Sequence, residues 1–277
     1  MGISINTNVA ATRAGMYLGT NHANLQKSLD RLSSGRRITE PADDAGGLAV
    51  SMKLEHTGKV LQGVSRNIAN ATSLLQVQDG VLQSAGEIYS RIGELKAMYD
   101  DVTKNTADKD NYESELTDLQ AQLTALSTTQ FNGVGLFDQT LVAADSLRVF
   151  LDETGTTAVS MDWTNHDLAG HADLTPVSGG AGFAAGEIAQ SDITTALERI
   201  ATMRATNGGE VRRLEYAQAN VGSQITNLSA AHGRIMDVDI AAESSNLARQ
   251  QVLVQASAAM TAHANVANDV ALMLLRQ

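Results

Sequence analysis

The sequence has 277 residues, of which 43% are hydrophobic in the broad sense but only 4% are aromatic, and it carries 23 glycines and 2 prolines. With few large rings to fill a thick core, this composition is typical of long helices packed side by side. The formal charge of −11 disfavours nucleic acid and anionic membranes as partners, and the lack of cysteine excludes disulfides and thiolate sites.

The first predicted helix carries leucines at a seven-residue spacing, Leu18, Leu25 and Leu32. This spacing indicates a coiled-coil stripe. The helix stops in the segment RLSSGRRITEPADDAGG, because glycine and proline interrupt helices and the two aspartates favour the positive N-terminus of a following helix. We therefore predict a hinge, whose residues on this arm are Gly35, Arg36, Arg37, Pro41, Asp43 and Asp44.

A second heptad run extends from Leu54 to Tyr89 and predicts a helix about 60 Å long. The polar stretch DDVTKNTADKDN predicts a turn, and leucines from Leu116 to Leu126 predict a third helix. The middle of the chain differs in kind. Leu147 to Leu151 and Thr157 to Met161 predict a hairpin of two short strands, and a glycine-rich loop follows from Leu168 to Gly186, where GGAGFAAG predicts a flexible linker.

The C-terminal third returns to the helical pattern. Apolar residues from Leu214 to Ile235 share one heptad phase, whereas Ile240, Leu247 and Val254 share another. A change of phase indicates a change of packing partner, so we predict a second hinge between these two stripes, at Met236–Asp239.

The two predicted hinges carry opposite charges. Arg36 and Arg37 lie on the first arm, and Asp237 and Asp239 lie on the second. Because both breaks fall about 35 to 45 residues from the chain ends, we expect the two arms to share one boundary. Ion pairs across that boundary and simple hydration of all four charges are both compatible with the sequence.

The sequence offers little support for catalysis or metal binding. His166 and His171 are five residues apart, whereas a helical zinc site needs two histidines four apart. Asp237, Asp239 and Glu243 are more typical of a solvated face than of a metal cluster. The glycine-rich segment lacks the spacing of a phosphate loop, and no GxSxG turn occurs. We predict a protein that is not an enzyme and has no cofactor.

Three separated segments resemble bacterial flagellin. The first comprises INTNVAA and LQKSLDRLSSGRRITEPADDAGGLAVS, and the second comprises RNIANATSLLQVQDGVLQ and FNGVGLF. The third comprises RRLEYAQANVGSQITNLSAAHGRIMDVDIAAE and QQVLVQASAAMTAHANVANDVALMLLRQ. The likeness covers roughly residues 1–137 and 195–277, with both ends in the family's order.

The resemblance implies a mainly α fold, a long coiled-coil helical rod with antiparallel N- and C-terminal arms and a small β-hairpin insert. Residues 1–40 and 237–277 would form the inner-tube domain, and residues 41–236 a helical bundle with the insert at about 131–190. The large variable outer domains of most flagellins are absent. The expected inner-tube assembly residues are Leu18, Leu25, Leu32, Ile240, Leu247, Val254, Leu272, Leu274 and Leu275.

The resemblance also implies partners and a location. We expect a homopolymer that forms the extracellular flagellar filament for swimming, exported without a cleaved signal peptide. An export chaperone that covers the C-terminal stripe, the hook-associated proteins and the cap protein are the other expected partners. Arg91, Glu94 and Leu95 match a segment that the flagellin-sensing Toll-like receptor reads, but Gly93 replaces the arginine of recognised forms, which argues against recognition.

Two other classes of protein share part of the pattern. A hook-filament junction protein has similar ends, although FNGVGLF and the closing LMLLRQ look more like filament flagellin. A generic coiled-coil adhesin or scaffold would explain the heptads but not the hinge segments.

Overall fold

The structure is a computed structural model that describes residues 8–137, 148–152, 154–156, 158–160, 174–178, 180–183 and 187–274. These residues are mainly helical with small antiparallel hairpins, which confirms the predicted fold class. The helices are α1 (Val9–Ser34), α2 (Ala45–Tyr99), α3 (Thr106–Ser127), α4 (Thr175–Ser178), α5 (Gln190–Met236) and α6 (Ile240–Leu274). The strands are β1 (Gln130–Phe131), β2 (Val134–Gly135), β3 (Arg148–Phe150) and β4 (Ala158–Ser160).

The chain divides into two compact units. The first unit comprises Met1–Thr57 and Asn227–Gln277, and in it α1 packs along α6. The second unit comprises Gly58–Thr226. The breaks between α1 and α2 and between α5 and α6 lie inside the first unit, so the domain division at residues 40 and 237 stays a prediction about the assembled filament.

The second unit is built on the heptad stripe predicted for α2. The stripe side chains are buried, since each is at most 2% exposed, and they are Leu61, Ile68, Leu75, Leu82 and Tyr89. The core is completed by apolar residues of the neighbouring helices, among them Leu116 and Leu123 of α3 and Ile193, Ile200, Leu214 and Val221 of α5. The sequence pattern therefore identified the buried face of α2 correctly.

Helix α2 is longer than its apolar stripe predicts. Its 55 residues span about 80 Å, because the helix continues beyond the heptad run at both ends. At its start, Oδ1 of Asp44 accepts a hydrogen bond from the Gly47 amide at 2.8 Å. This bond satisfies one of the free amides of the first turn. None of the described helices combines the length and hydropathy that a membrane span requires.

Two hairpins interrupt the helices. Strands β1 and β2 are joined by Asn132 and Gly133, whose φ values of 51° and 78° are those of a tight hairpin turn. Strands β3 and β4 pair with Val149 opposite Val159, which confirms the predicted hairpin. The carboxylate of Asp152 accepts the amide of Thr156 at 3.0 Å and so orders the connecting turn.

The glycine-rich segment is not a simple linker. Phe183 is only 2% exposed, and its ring lies 5.4 Å from that of Tyr99. The carbonyl of Ala181 accepts a hydrogen bond from Nε2 of Gln120 at 2.8 Å. The prediction of a flexible linker was wrong for these residues, because an aromatic ring and backbone carbonyls anchor them to α2 and α3.

Candidate functional site

Helices α1 and α6 form an antiparallel pair in the first unit. Nδ2 of Asn8 donates to the carbonyl of Ala264 at 2.8 Å, and Nδ2 of Asn21 donates to Oγ of Ser257 at 2.9 Å. As residue numbers rise along α1 they fall along α6. The predicted antiparallel arms are therefore present within a single chain.

The predicted leucine stripe lies on the face of α1 that carries Asn21. Leu18, Leu25 and Leu32 are half-buried, and so are Leu247 and Val254 of α6. One partner helix covers only part of each side chain. The assembly role of these residues stays a prediction, and in the single chain their burial is incomplete.

The remaining predicted assembly residues are Ile240, Leu272, Leu274 and Leu275. Ile240 is 66% exposed at the first turn of α6. The side chains of Leu272 and Leu274 are outside the described set, and Leu275 lies outside the described residues. Their contacts in the filament stay predictions.

The interface between α1 and α6 is partly polar. Its most buried side chains include Ser28, Glu243 and Ser257, which are 3%, 9% and 8% exposed. Polar groups inside a helix pair favour one arrangement of the helices but add little apolar burial. Asn21 and Ser257 were not singled out by sequence reasoning, although a polar residue between two heptad leucines was a usable signal.

Large apolar side chains cover the outer faces of the same two helices. Met16 and Tyr17 of α1 are 70% and 61% exposed, and Val252 and Met260 of α6 are 64% and 62% exposed. Exposed apolar residues of this size, where they cluster, mark interaction surfaces. The two helices therefore bury one face against each other and leave large apolar side chains exposed on their other faces.

The two helix breaks are joined through the backbone. The amide of Arg37 donates to the carbonyl of Met236 at 2.6 Å, and the amide of Val238 donates to the carbonyl of Gly35 at 3.0 Å. Gly35 has a φ of 69°, the left-handed conformation that lets α1 end sharply. The predicted hinge segments thus lie side by side as a short antiparallel bridge.

The side chains of Arg36, Arg37, Asp237 and Asp239 form no ion pairs with one another among the described residues. Arg36 and Asp237 oppose each other in the bridge, but no salt bridge among the described residues links Arg36 or Arg37 to Asp237 or Asp239. Asp239 instead caps α6, since its Oδ1 accepts the amide of Ala241 at 3.0 Å. The described residues thus show no ion pair across this boundary, and the carboxylate of Asp239 is held by backbone amides.

A charge cluster at Asp43 stabilises the hinge instead. The Asp43 carboxylate is 2% exposed and contacts Lys27, while Arg31 lies 3.7 Å from Asp43 and 3.9 Å from Glu243 of α6. The amide of Thr39 also donates to Asp43 Oδ2 at 3.2 Å. The Lys27 contact is the main reason that the pKa of Asp43 lies well below its usual range. The cluster joins α1, the connecting loop and α6.

The sequence predicted Asp43 as a hinge residue but did not identify Lys27 and Arg31 as its partners. Lys27 and Arg31 are four residues apart and so share one face of α1, which is a signal that could have indicated a common anionic partner. Pro41 lies in the turn before α2, as predicted. At Gly47 an added Cβ would lie 2.4 Å from the carboxylate of Asp44, so a larger residue would displace the side chain that caps α2.

The segment compared with receptor-binding flagellins lies in the second unit. Arg91 pairs with Glu94 and with Glu115, each at 2.8 Å. Leu95 is 0% exposed, so a partner protein cannot touch it in this conformation. A Cβ at Gly93 would meet Ile193 at 3.4 Å, an ordinary contact.

Metal binding has no support in the part of the chain that the structure describes. There, no group of three or more histidine or acidic side chains is arranged to hold an ion, and this includes Asp237, Asp239 and Glu243. His166 and His171 lie outside the described residues.

Comparison with known proteins identifies two matching family models. Residues 5–141 match the model described as "Bacterial flagellin N-terminal helical region", and residues 191–275 match "Bacterial flagellin C-terminal helical region". Only residues 142–190 lie between the two matches, so little chain is left for an outer domain.

Similar proteins extend over nearly the whole chain. "Flagellin" of Halalkalibacterium halodurans is 32% identical over 273 residues, covering 98% of this chain and 99% of that protein. "Flagellar filament 33 kDa core protein" of Treponema phagedenis is 32% identical over 293 residues, with the same two coverages. The crystal structure of Bacillus cereus flagellin covers 60% of this chain and 94% of that chain, with 26% identity and a TM-score of 0.48.

Proposed function

The chain belongs to the bacterial flagellin family as a short form without large outer domains, and from this we propose that α1 and α6 are the arms through which its copies polymerise. It is a structural subunit of the extracellular flagellar filament, and nothing favours a hook-filament junction protein. The exposed apolar faces of α1 and α6 are the observation that carries the proposal.

Burial of these faces supplies the driving force for assembly. Val9 is 64% exposed, and Met16, Tyr17, Val252 and Met260 are exposed to a similar degree. A fully buried side chain of this size contributes about 1.5 to 3 kcal/mol. A few such contacts per subunit offset the entropy lost when the arms become ordered, whereas an isolated helix in water is marginal.

We further propose that residues 1–40 and 237–277 form the inner tube of the filament and residues 41–236 the surrounding layer. The Asp43 cluster and the bridge from Arg37 to Met236 support a hinge at this boundary, because they tie both helix breaks together. The hinge residues named from the sequence lie at these two breaks.

Truncation of either arm tests the proposal. Deletion of residues 1–30 or 245–277 should abolish polymerisation, because each deletion removes most of one arm. The second unit, Gly58–Thr226, keeps its own core and should stay helical by circular dichroism. Sedimentation after seeded assembly measures the polymer. Normal filaments from either truncated protein would contradict the proposal.

Before assembly, the apolar residues of α6 need a binding partner that keeps them from water. We propose that a cytoplasmic export chaperone binds its apolar residues, and that the hook-associated and cap proteins contact the same arms at the two ends of the filament. Serine substitution of Leu247 and Val254, or of Leu272, Leu274 and Leu275, should weaken chaperone binding. Calorimetric titration of each variant with the chaperone measures this affinity. An unchanged affinity would show that these residues are not the chaperone-binding site.

Receptor recognition should be weak. Gly93 stands where recognised flagellins carry arginine, and Leu95 is buried. The Cβ that Gly93→Arg adds lies 3.4 Å from Ile193, so the first atom of the new side chain does not clash. Reporter cells that express the flagellin-sensing Toll-like receptor should respond more to Gly93→Arg than to the unchanged protein. Equal responses would show that this position does not limit recognition.

A further inference from the structure

Methionine is the only sulfur-containing residue of this chain, since the sequence has 9 methionines and no cysteine. A peroxide therefore finds no thiolate to oxidise and reacts instead with the thioethers of those methionines that solvent reaches. Oxidation converts this flexible apolar side chain into a polar sulfoxide. The positions of the exposed methionines thus decide which surface of the protein a peroxide changes.

The described methionines differ sharply in exposure. Met16, Met52 and Met260 are 70%, 62% and 62% exposed, and these three lie in the first unit. By contrast, Met203 of α5 is 0% exposed and Met236 at the end of α5 is 4% exposed. An oxidant dissolved in water therefore reaches the first three sulfur atoms without any unfolding, whereas packing shields the other two.

Met16 and Met260 lie at the same level of the pair formed by α1 and α6. Hydrogen bonds from the side chains of Asn8 and Asn21 join α1 to the two ends of the segment 257–264 of α6. Met16 lies between the two asparagines, and Met260 lies within the segment of α6 that they reach. Both exposed thioethers thus belong to one stretch of the two arms through which copies of the chain polymerise.

We propose that Met16 and Met260 form an oxidation-sensitive site, at which a peroxide blocks polymerisation of the unassembled subunit reversibly. A lone pair of each sulfur forms an S–O bond to one oxygen atom of hydrogen peroxide while the O–O bond breaks. The sulfur gives up two electrons, the peroxide is reduced, and water leaves. The inference rests on the proposed function, because only a polymer of this chain needs these two faces.

The polarity of the sulfoxide is the physical reason for the block. A thioether gains free energy when a neighbouring copy removes it from water. A sulfoxide oxygen placed against the same apolar neighbours loses its hydrogen bonds to water without replacement, so its burial costs free energy. Assembly in turn protects the site, since a sulfur atom buried between copies is out of reach of the oxidant.

Limited treatment of the unassembled full-length chain with hydrogen peroxide tests the proposal. Peptide mass spectrometry should find sulfoxide at Met16 and Met260 before it appears at Met203, because Met203 has no exposed surface. The critical concentration of seeded polymerisation should rise by about tenfold. Methionine sulfoxide reductases of both stereospecificities should restore the untreated value. In assembled filaments the same two methionines should be oxidised more slowly.

Leucine substitutions identify the methionines that are responsible. Leucine is close to methionine in volume and helix propensity but has no sulfur. The double variant Met16→Leu, Met260→Leu should keep its critical concentration after peroxide treatment. Met52→Leu is the matched control, because Met52 is as exposed as Met260 but lies on α2. Treated Met52→Leu should lose polymerisation as the treated unchanged chain does.

The outcomes separate this inference from the proposed function. Normal polymerisation of a treated chain that carries both sulfoxides would overturn the inference, and so would protection by Met52→Leu or none by the double variant. If the double variant does not polymerise before treatment, the single substitutions decide: each should protect in part, and protection by neither refutes the site. Failure of the untreated, unchanged chain to polymerise would overturn the proposed function instead.

Discussion

The two units use the same seven-residue pattern with different results. In the second unit, α2 meets both α3 and α5, as the contacts of Arg91 with Glu115 and of Arg204 with Asp79 show, and stripe residues such as Leu82 are fully buried. In the first unit α1 meets α6, and Leu25 is half-buried. The number of helices around a stripe, and not the stripe itself, decides whether it forms a closed core.

Polar side chains are buried in both units. Ser28 and Ser257 occupy buried positions between α1 and α6, and Gln78 and Asn207 are each 1% exposed in the second unit. The units differ instead in their apolar stripes, because the α2 stripe is buried from Leu61 to Tyr89 whereas the α1 leucines are half-buried. The second unit is therefore expected to be stable by itself, and the first to gain its stability from neighbouring copies.

The largest expected effect is in the closed core. Leu82 is 0% exposed, so Leu82→Ala should lower the free energy of unfolding by about 2 to 5 kcal/mol, through lost burial and a cavity. Val77→Ala on the same helix is the control, because Val77 is 40% exposed and its truncation should change stability far less. Urea unfolding followed by circular dichroism gives both values. Equal losses would contradict the contrast between stripe and surface.

Loss of the Asp43 charge should have the next largest effect, on filaments. Asp43→Asn leaves Lys27 and Arg31 without their common anion and should destabilise the hinge by about 1 to 3 kcal/mol. Because the folded-state pKa of Asp43 is lowered, the carboxylate stabilises the hinge fully above its ordinary pKa of about 3.9 and loses this contribution as pH falls below that value.

The dissociation temperature of filaments measures this effect. Asp43→Asn should lower it at pH 7, and the difference from the unchanged protein should shrink as the pH falls below about 4. Asp30→Asn is the control, because Asp30 is an exposed aspartate of α1, the helix that carries Lys27 and Arg31. A difference that stayed constant with pH would show that the charge of Asp43 is not the cause.

A smaller effect is expected from the half-buried leucine stripe of α1. Leu25→Ala should cost about 1 to 2 kcal/mol in the filament, which corresponds to roughly a tenfold rise in critical concentration, because more of Leu25 becomes buried there. The unfolding of the second unit should not change. Gln26→Ala, at an exposed neighbouring position, should have little effect. If Leu25→Ala leaves the critical concentration unchanged, the stripe does not gain burial on assembly.

The smallest effect is expected at the backbone bridge. Reversing the charge of Arg36, of Asp237, or of both should change filament stability by less than about 0.5 kcal/mol, because the bridge is made by amides and carbonyls. The two changes should be additive in a double-mutant cycle. Partial rescue by the double reversal, in filament shape or motility, would show that the charges meet after all.

Sequence reasoning succeeded where the determinant is local. The heptad from Leu54 to Tyr89 repeats often enough to define one face of a helix, and Gly35 ends α1 because it adopts a left-handed φ. It failed where partners are distant along the chain. Phe183 packs on Tyr99 although glycines surround it, and nothing near Asp43 in the sequence indicates that Lys27 is its main partner.

The sequence by itself determined where the helices break and which residues share a face. Both depend on the spacing of apolar residues and on glycine and proline, which act on residues close to them in the sequence. Only the tertiary structure decided how completely each face is buried, since that depends on how many other helices reach it. Leu82 and Leu25 occupy equivalent places in their patterns, yet Leu82 is 0% exposed in the unit where α2 meets α3 and α5, whereas Leu25 is half-buried where α1 meets α6. The free energy gained by burial scales with the apolar surface that neighbouring helices remove from water. No local sequence pattern encodes how many helices pack against a given face.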